Sequence, residues 1–137
     1  MNVPKVLVRI EESGGEVAVI EGSTLPPIFE GPPLHLHDFD EAFYVLEGEL
    51  TFRLGDELFT RSAGEMAFAP CGVAHTYANH SGAAARALII CTPAGFERYF
   101  ARMAAERQGV DPPQWALQPI PDVTVVGPPI KPMEVQR

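Results

Sequence analysis

Short apolar stretches cut off at close intervals by turn residues are the feature that most limits how this chain can fold. Ala42 to Glu47, Leu50 to Leu54, Leu58 to Arg61, Met66 to Ala69, His75 to Ala78 and Ala85 to Cys91 follow one another, with Gly48-Glu49 and Gly55-Asp56 where tight hairpin turns would sit. Runs of four to eight residues bounded in this way suit strands and are too short for ordinary helices. Twelve glycines and fourteen prolines in 137 residues extend the punctuation along the whole chain, while 46% hydrophobic residues leave enough material for a core. Many short strands at close spacing predict an all-β sandwich or barrel. At this length one domain is expected.

Two further strands are expected over Lys5 to Ile10 and Glu16 to Ile20, around the Ser13-Gly14-Gly15 turn, followed by a loop-rich stretch at 22–33. Thr92-Pro93 offers an N-cap and a proline at a first helical position. Phe96, Phe100, Met103 and Arg107 then form one apolar stripe ending in a snorkelling side chain, and Gly109 closes the helix. Residues 110–137 hold seven of the fourteen prolines. Only Asp122 to Val126 reads as a strand there, either an edge strand or an arm. The domain therefore divides into a barrel core at about 5–92, a helix at about 93–108 and an extended tail at 110–137.

Eighteen acidic residues against ten basic give a net charge of −8. Without a cluster of Lys or Arg there is no face for phosphates, so neither nucleic acid nor an anionic membrane is an expected partner. No apolar run approaches the roughly 20 residues of a membrane span, and Val6-Leu7-Val8 is too short for a signal-peptide core. Cys71 and Cys91 make no disulfide framework. A soluble, cytoplasmic protein with free thiols is expected.

Three histidines and a glutamate occupy suggestive positions. His35 and His37 flank Leu36, and on a strand residues two apart share a face, so two imidazoles can converge on one ion. Glu41 follows after a short turn and opens a strand; His75 comes much later, after Pro70-Cys71-Gly72. Singly, an H-x-H pair, a lone histidine and a strand-start carboxylate are all ordinary surface or structural features. Together, three imidazoles and one carboxylate suit a borderline first-row ion. Cys71 ranks behind the imidazoles as a ligand, and His80, of opposite parity to His75, is read as a surface residue.

The combined spacing carries a family resemblance. His35-x-His37-x3-Glu41-x6-Gly48 resembles the first cupin motif, and Gly64-x5-Pro70-x-Gly72-x2-His75-x3-Asn79 matches the second at every fixed position, with fifteen residues between Gly48 and Gly64. One position departs: Phe29 stands where the first motif usually opens with glycine, and Gly31 lies two residues later. The resemblance implies a double-stranded β-helix, a jelly-roll barrel, holding one divalent transition metal ion (Fe, Mn, Ni, Co, Cu or Zn) at His35, His37, Glu41 and His75. Asn79 is read as a hydrogen-bonding residue, not a ligand. The segment Thr92-Pro93-Ala94-Gly95-Phe96-Glu97 and the closing Val126-Gly127-Pro128-Pro129 are similar to single-domain cupins described as quercetin-dioxygenase-like.

Alternation predicts the lining of the barrel. Glu41 inward places Phe43 and Val45 inward, and His75 inward places Tyr77 inward. Leu50, Phe52 and Leu54 share a face, as do Met66 and Phe68, and Leu88 and Ile90. Phe43, Phe52, Phe68 and Tyr77 are the candidate ligand contacts, although each serves equally as plain core. No Arg or Lys is expected to face inward, which disfavours small acids and phosphosugars. The expected function is a metal-dependent dioxygenase for an apolar or aromatic hydroxylated small molecule, with Glu41 as ligand and catalytic base. The alternatives are a non-catalytic binding or sensing protein with a bound metal, and a metal-dependent isomerase or lyase, which a cationic Lys131 or Arg137 in the cavity would favour. A homodimer is expected, formed through the sheet edges near Lys5 to Ile10 or Val123 to Val126.

Overall fold

The computed structural model describes residues 2–131. Among the described residues ten strands form two five-stranded sheets. The first has the order β1 (Lys5–Val8), β2 (Ala18–Glu21), β9 (Arg86–Thr92), β4 (Asp40–Glu47), β7 (Met66–Ala69). The second has the order β10 (Val123–Gly127), β3 (Leu34–His37), β8 (His75–Ala78), β5 (Glu49–Leu54), β6 (Glu57–Ser62). All pairings are antiparallel. The punctuation in the sequence thus becomes a double-stranded β-helix. Gly31 shows why the turns need glycine: its φ is +85°, and a Cβ there would run into the Tyr77 carbonyl.

Two segments differ from expectation. The end of the first predicted strand is instead a helical turn, α1 (Ile10–Ser13). Glu12 reaches back to accept a hydrogen bond from the Arg9 amide, and Gly14 stops the turn in a left-handed conformation. The long helix, α2, spans Glu97–Gln108 and does not start at Thr92-Pro93. Glu97 sets that start. Its carboxylate is fully buried and accepts hydrogen bonds from the amides of Gly95 and Ile10, both at 2.6 Å. Two amide donors and the positive end of a helix offset the desolvation of that charge. Gly109 ends α2 as anticipated, in a left-handed conformation with φ 68°. Arg102 then ties α2 to the tail by donating to the carbonyls of Ala116 and Gln118.

The core lies between the sheets. Ile20, Phe43, Val45, Leu50, Phe52 and Ile89 are buried there, and Phe100 of α2 joins them. Each such side chain contributes about 1.5–3 kcal/mol by leaving water. On the first sheet the inward positions include Ala18, Ala67, Ala69 and Ala87, all buried, whereas Met66 and Phe68 are 46% and 51% exposed. Phe68 therefore points outward, and with Phe43 and Phe52 it borders only a small void of about 10 Å³ beside His75. The strict alternation of β7 was read correctly as a shared face for Met66 and Phe68, but the small residues face the interior. The same holds on β9, where Ala87, Ile89 and Cys91 are buried and Leu88 and Ile90 lie on the outer side.

In the tail, β10 pairs with β3 of its own chain, with Val125 opposite His35 and Val123 opposite His37. Among the described residues no helix is long and apolar enough to cross a membrane.

Candidate metal centre

Both sheets contribute to one cluster. His35 and His37 come from β3 and His75 from β8, with His35 and His75 directly paired in register. Glu41 comes from β4 of the facing sheet. One ligand atom from each of the four lies within 4.8 Å of all the others. His37, Glu41 and His75 are buried, and His35 is half-buried. The loop carrying the second motif is fastened to the first where the Gly72 amide donates to the His37 carbonyl at 2.8 Å.

The hydrogen bonds around the rings decide what the cluster can hold. Nδ1 of His35 lies 2.7 Å from the Pro33 carbonyl, Nδ1 of His37 3.0 Å from the Phe39 carbonyl, and Nδ1 of His75 3.0 Å from the Val73 carbonyl. A carbonyl only accepts, so each ring carries its proton on Nδ1, and a neutral ring turns an Nε2 lone pair toward the centre. Nε2 of His37 and of His75 lie 2.9 and 3.2 Å from Oε1 of Glu41. Lone pairs facing a buried carboxylate are stable only with positive charge among them, either extra ring protons or a metal cation. Three imidazoles and one carboxylate fit a divalent first-row ion.

The electrostatics agree with that donor set. Burial works to raise the Glu41 carboxyl, but its close contacts with the His37 and His75 rings outweigh it and hold Glu41 below the ordinary glutamate range. Burial lowers His35, against its bond to the Pro33 carbonyl, which favours the neutral, ligand-competent ring. The His37 ring stacks on Phe39, with centroids 3.6 Å apart and planes 1° from parallel.

A cavity of about 620 Å³ opens onto His35 and Glu41. Its walls are Phe29 and the Gly31-Pro32-Pro33 loop, Tyr77, one side of α2 (Phe96, Tyr99, Phe100, Met103) and the tail (Ile120 to Val123, and Val125). Among the described residues no Lys or Arg lines it; its polar groups are His35, Glu41, Asp122 and the two tyrosines. Burial, and after it the charge of Glu41, push the Tyr77 phenol upward, so it stays a neutral hydrogen-bond donor. A second cavity of about 280 Å³ shares Phe29, Tyr77, Phe100 and Met103 with the first and has Arg107 at its edge.

Of the four predicted ligand contacts, Tyr77 alone lines the large cavity. Phe43 and Phe52 are 3% exposed core residues whose rings pack 5.4 Å apart, although Phe43 reaches the smaller cavity. The missed walls come from α2 and the tail. Their signals were visible as the Phe96, Phe100, Met103 stripe and the strand-like Asp122 to Val126, but a stripe does not say which part of a barrel it covers. Asn79 is the hydrogen-bonding residue it was taken for: its side-chain amide donates to the carbonyls of Leu25, Pro26 and Ala83. His80 is not a surface residue; it is half-buried, with both ring nitrogens screened from solvent. Lys131 is exposed and lines neither cavity, and Arg137 lies outside the described residues.

The geometry has its counterpart in known proteins. The profile of the cupin domain matches residues 23–91, just over half of the 137, and the chain belongs to the cupin family. A protein of Thermus thermophilus, TT1209, is 30% identical, with a TM-score of 0.54 over 65% of this chain and 84% of that one. A sugar phosphate isomerase of the cupin superfamily from Silicibacter pomeroyi is 26% identical, with a TM-score of 0.52 over 65% of this chain and 59% of that one. An RmlC-like cupin of Methanocaldococcus jannaschii with a double-stranded β-helix, 20% identical, shares the fold at a TM-score of 0.57 over 69% of this chain and 82% of that one. Among curated proteins none matches.

Proposed function

We propose that this cupin is a metal-dependent dioxygenase for a neutral, apolar or aromatic small molecule bearing a hydroxyl group, of the quercetin-dioxygenase-like kind. The observation that carries this reading is the cavity itself: about 620 Å³, walled by aromatic and aliphatic side chains, without a cation, and open onto His35 and Glu41. A divalent ion held by His35, His37, Glu41 and His75 would supply Lewis acidity and a site for dioxygen. The chain's own residues do the rest. Phe29, Phe96 and Met103 exclude water and hold a flat apolar body. Tyr77 donates a hydrogen bond from the cavity wall. Glu41 accepts the proton of the substrate hydroxyl.

The isomerase neighbour suggests a different chemistry, but a phosphorylated sugar needs a positive group to hold its anion. The large cavity presents Asp122 and Glu41 instead. A protein that only binds or senses its ligand has the same walls and the same four ligands, so turnover must be measured.

The test is anaerobic titration with a flavonol and with a catechol after loading Fe, Mn, Ni and Co in turn, followed by admission of oxygen. A spectral shift on binding and oxygen uptake in at least one metal form are expected, and both are lost in His75→Ala. Ligand recovered unchanged after aerobic incubation in every form, despite binding, makes the protein a binding module. No shift and no uptake in any form removes the proposal.

A further inference from the structure

We infer that the smaller cavity is a binding site for an apolar monocarboxylate, with Arg107 holding the carboxylate and the buried end of the cavity holding the chain. The cavity has a volume of about 280 Å³. At the roughly 30 Å³ that a water takes in the liquid, it has room for about nine or ten heavy atoms. Its buried end is apolar. Phe43, Leu50, Ala87 and Ile89 line it, and all four are core residues no more than 8% exposed. An apolar cavity of this kind stays dry and takes up apolar ligands.

The open end is polar, and most of its polar groups are already used. Asn2, Ser23, Thr24 and Arg107 stand there, exposed or half-buried. Asn2 and Thr24 satisfy each other: the Asn2 side-chain amide donates to the Thr24 carbonyl, and the Thr24 amide donates to Oδ1 of Asn2, both at 2.8 Å. Arg107 keeps most of its donors. Of its five N–H groups, one reaches the Ser23 hydroxyl, at a long 3.4 Å. Arg9, Arg86 and Arg98 each pair with a glutamate, whereas among the described residues Arg107 pairs with no carboxylate. In a chain of net charge −8, a cation without an acidic partner beside an apolar cavity is placed to receive an anionic head group. A planar guanidinium binds a carboxylate through two parallel hydrogen bonds, and one cation balances one negative charge.

Helix α2 sets the place of that cation. Along its apolar stripe, Phe96 lines only the large cavity, Phe100 and Met103 line both, and Arg107 lines only the smaller one. Arg107 therefore stands about 6 Å beyond Met103, four residues of helical rise, at the far end from the metal centre. Neither His35 nor Glu41 lines the smaller cavity, so the inference does not depend on the proposed function.

The test is titration calorimetry of the full chain with octanoate, and with octanol and butyrate for comparison, repeated in Arg107→Gln, Ala87→Leu and His75→Ala. The expected result is one octanoate per chain, bound about tenfold more tightly than octanol or butyrate. In Arg107→Gln octanoate weakens about tenfold, to the level of octanol, whose own affinity is unchanged. Ala87→Leu fills the buried end and weakens octanoate and octanol alike. His75→Ala keeps octanoate binding. Arg107 is exposed, so Arg107→Gln folds and carries the test even if Ala87→Leu does not. No octanoate binding to the wild type, equal affinity for octanoate and octanol, or full octanoate affinity in Arg107→Gln would each overturn the inference. Loss in His75→Ala with retention in Arg107→Gln would overturn it too, by placing the carboxylate at the metal centre.

Discussion

The two sheets have the same number of strands, but they divide the work unequally. The second sheet brings three imidazoles to its inner face from β3 and β8, and its outer face carries Thr51, Arg53, Thr60 and Thr76. The first sheet brings only Glu41 to the centre; inside, Ala67, Ala69 and Ala87 alternate with the bulkier Ile20, Phe43, Val45 and Ile89, while Met66 and Phe68 stay outside. The side chains flanking Glu41 in register, Ala69 and Cys91, are small, which leaves room for the three rings. The carboxylate from one sheet and the imidazoles from the other also make the centre a cross-link between layers. An ion bound there stabilises the fold by mass action, because the separated, unfolded segments present no such site.

The largest effect expected from breaking this division is at His75. It holds Glu41 across the gap, and in His75→Ala that contact and one ligand are gone together. Metal content per chain, measured by mass spectrometry after dialysis, falls to background. The affinity loss exceeds the roughly 10–100-fold typical when only an outer-shell partner is removed. Retention of one metal per chain would show that the ion sits elsewhere.

The next effect compares inside with outside by one kind of substitution. Phe43 packs against Phe52, Tyr77 and His75, with centroids 5.4, 5.5 and 6.3 Å away. Phe43→Ala costs about 3–5 kcal/mol in urea denaturation. Phe68→Ala costs less than about 1 kcal/mol. Similar costs for the two would mean that the outer face of the first sheet is covered within the monomer.

This pair also shows what the sequence makes legible. Motif spacing located all four residues of the centre because ligand geometry constrains residue type directly. The strands followed from their turns, and parity correctly grouped Met66 with Phe68. Parity does not say which group faces in when both are apolar, and the usual preference for large residues inside fails beside a site that needs space. The start of α2 was misplaced because the residue that fixes it, Glu97, acts through a contact with Ile10, 87 positions away in the chain. The cavity walls were missed for the same reason: the meeting of α2, β10 and the loop before β3 is a tertiary fact with no local signature.

Asn79 measures how much that tertiary fastening is worth. It is fully buried at the end of β8, donates to three carbonyls, and accepts from the amide and hydroxyl of Ser81. Asn79→Ala strands several of these groups away from water, at about 1–3 kcal/mol. Metal affinity stays near that of the wild type, because no ligand bonds to Asn79. Loss of metal without loss of stability would instead place Asn79 in the centre.

The smallest effect belongs to the thiols. Cys71 sits on the turn that leads to His75, where a thiolate could join the ligands, but it is exposed, and the contact it makes there is backbone: its amide donates to Oδ1 of Asp40 at 2.7 Å. Cys91 lies opposite Glu41 in register on the first sheet, and burial, followed by the charges of Glu41 and Glu97, pushes its thiol upward. It therefore remains a protonated, apolar part of the wall. Iodoacetamide is expected to modify one thiol per folded chain, at Cys71, and two after unfolding. Cys71→Ser leaves metal affinity within about twofold, in line with the ±0.5 kcal/mol range of surface substitutions. A tenfold loss would make the turn of the second motif a fifth contributor and shift the balance between the sheets further toward the imidazole side.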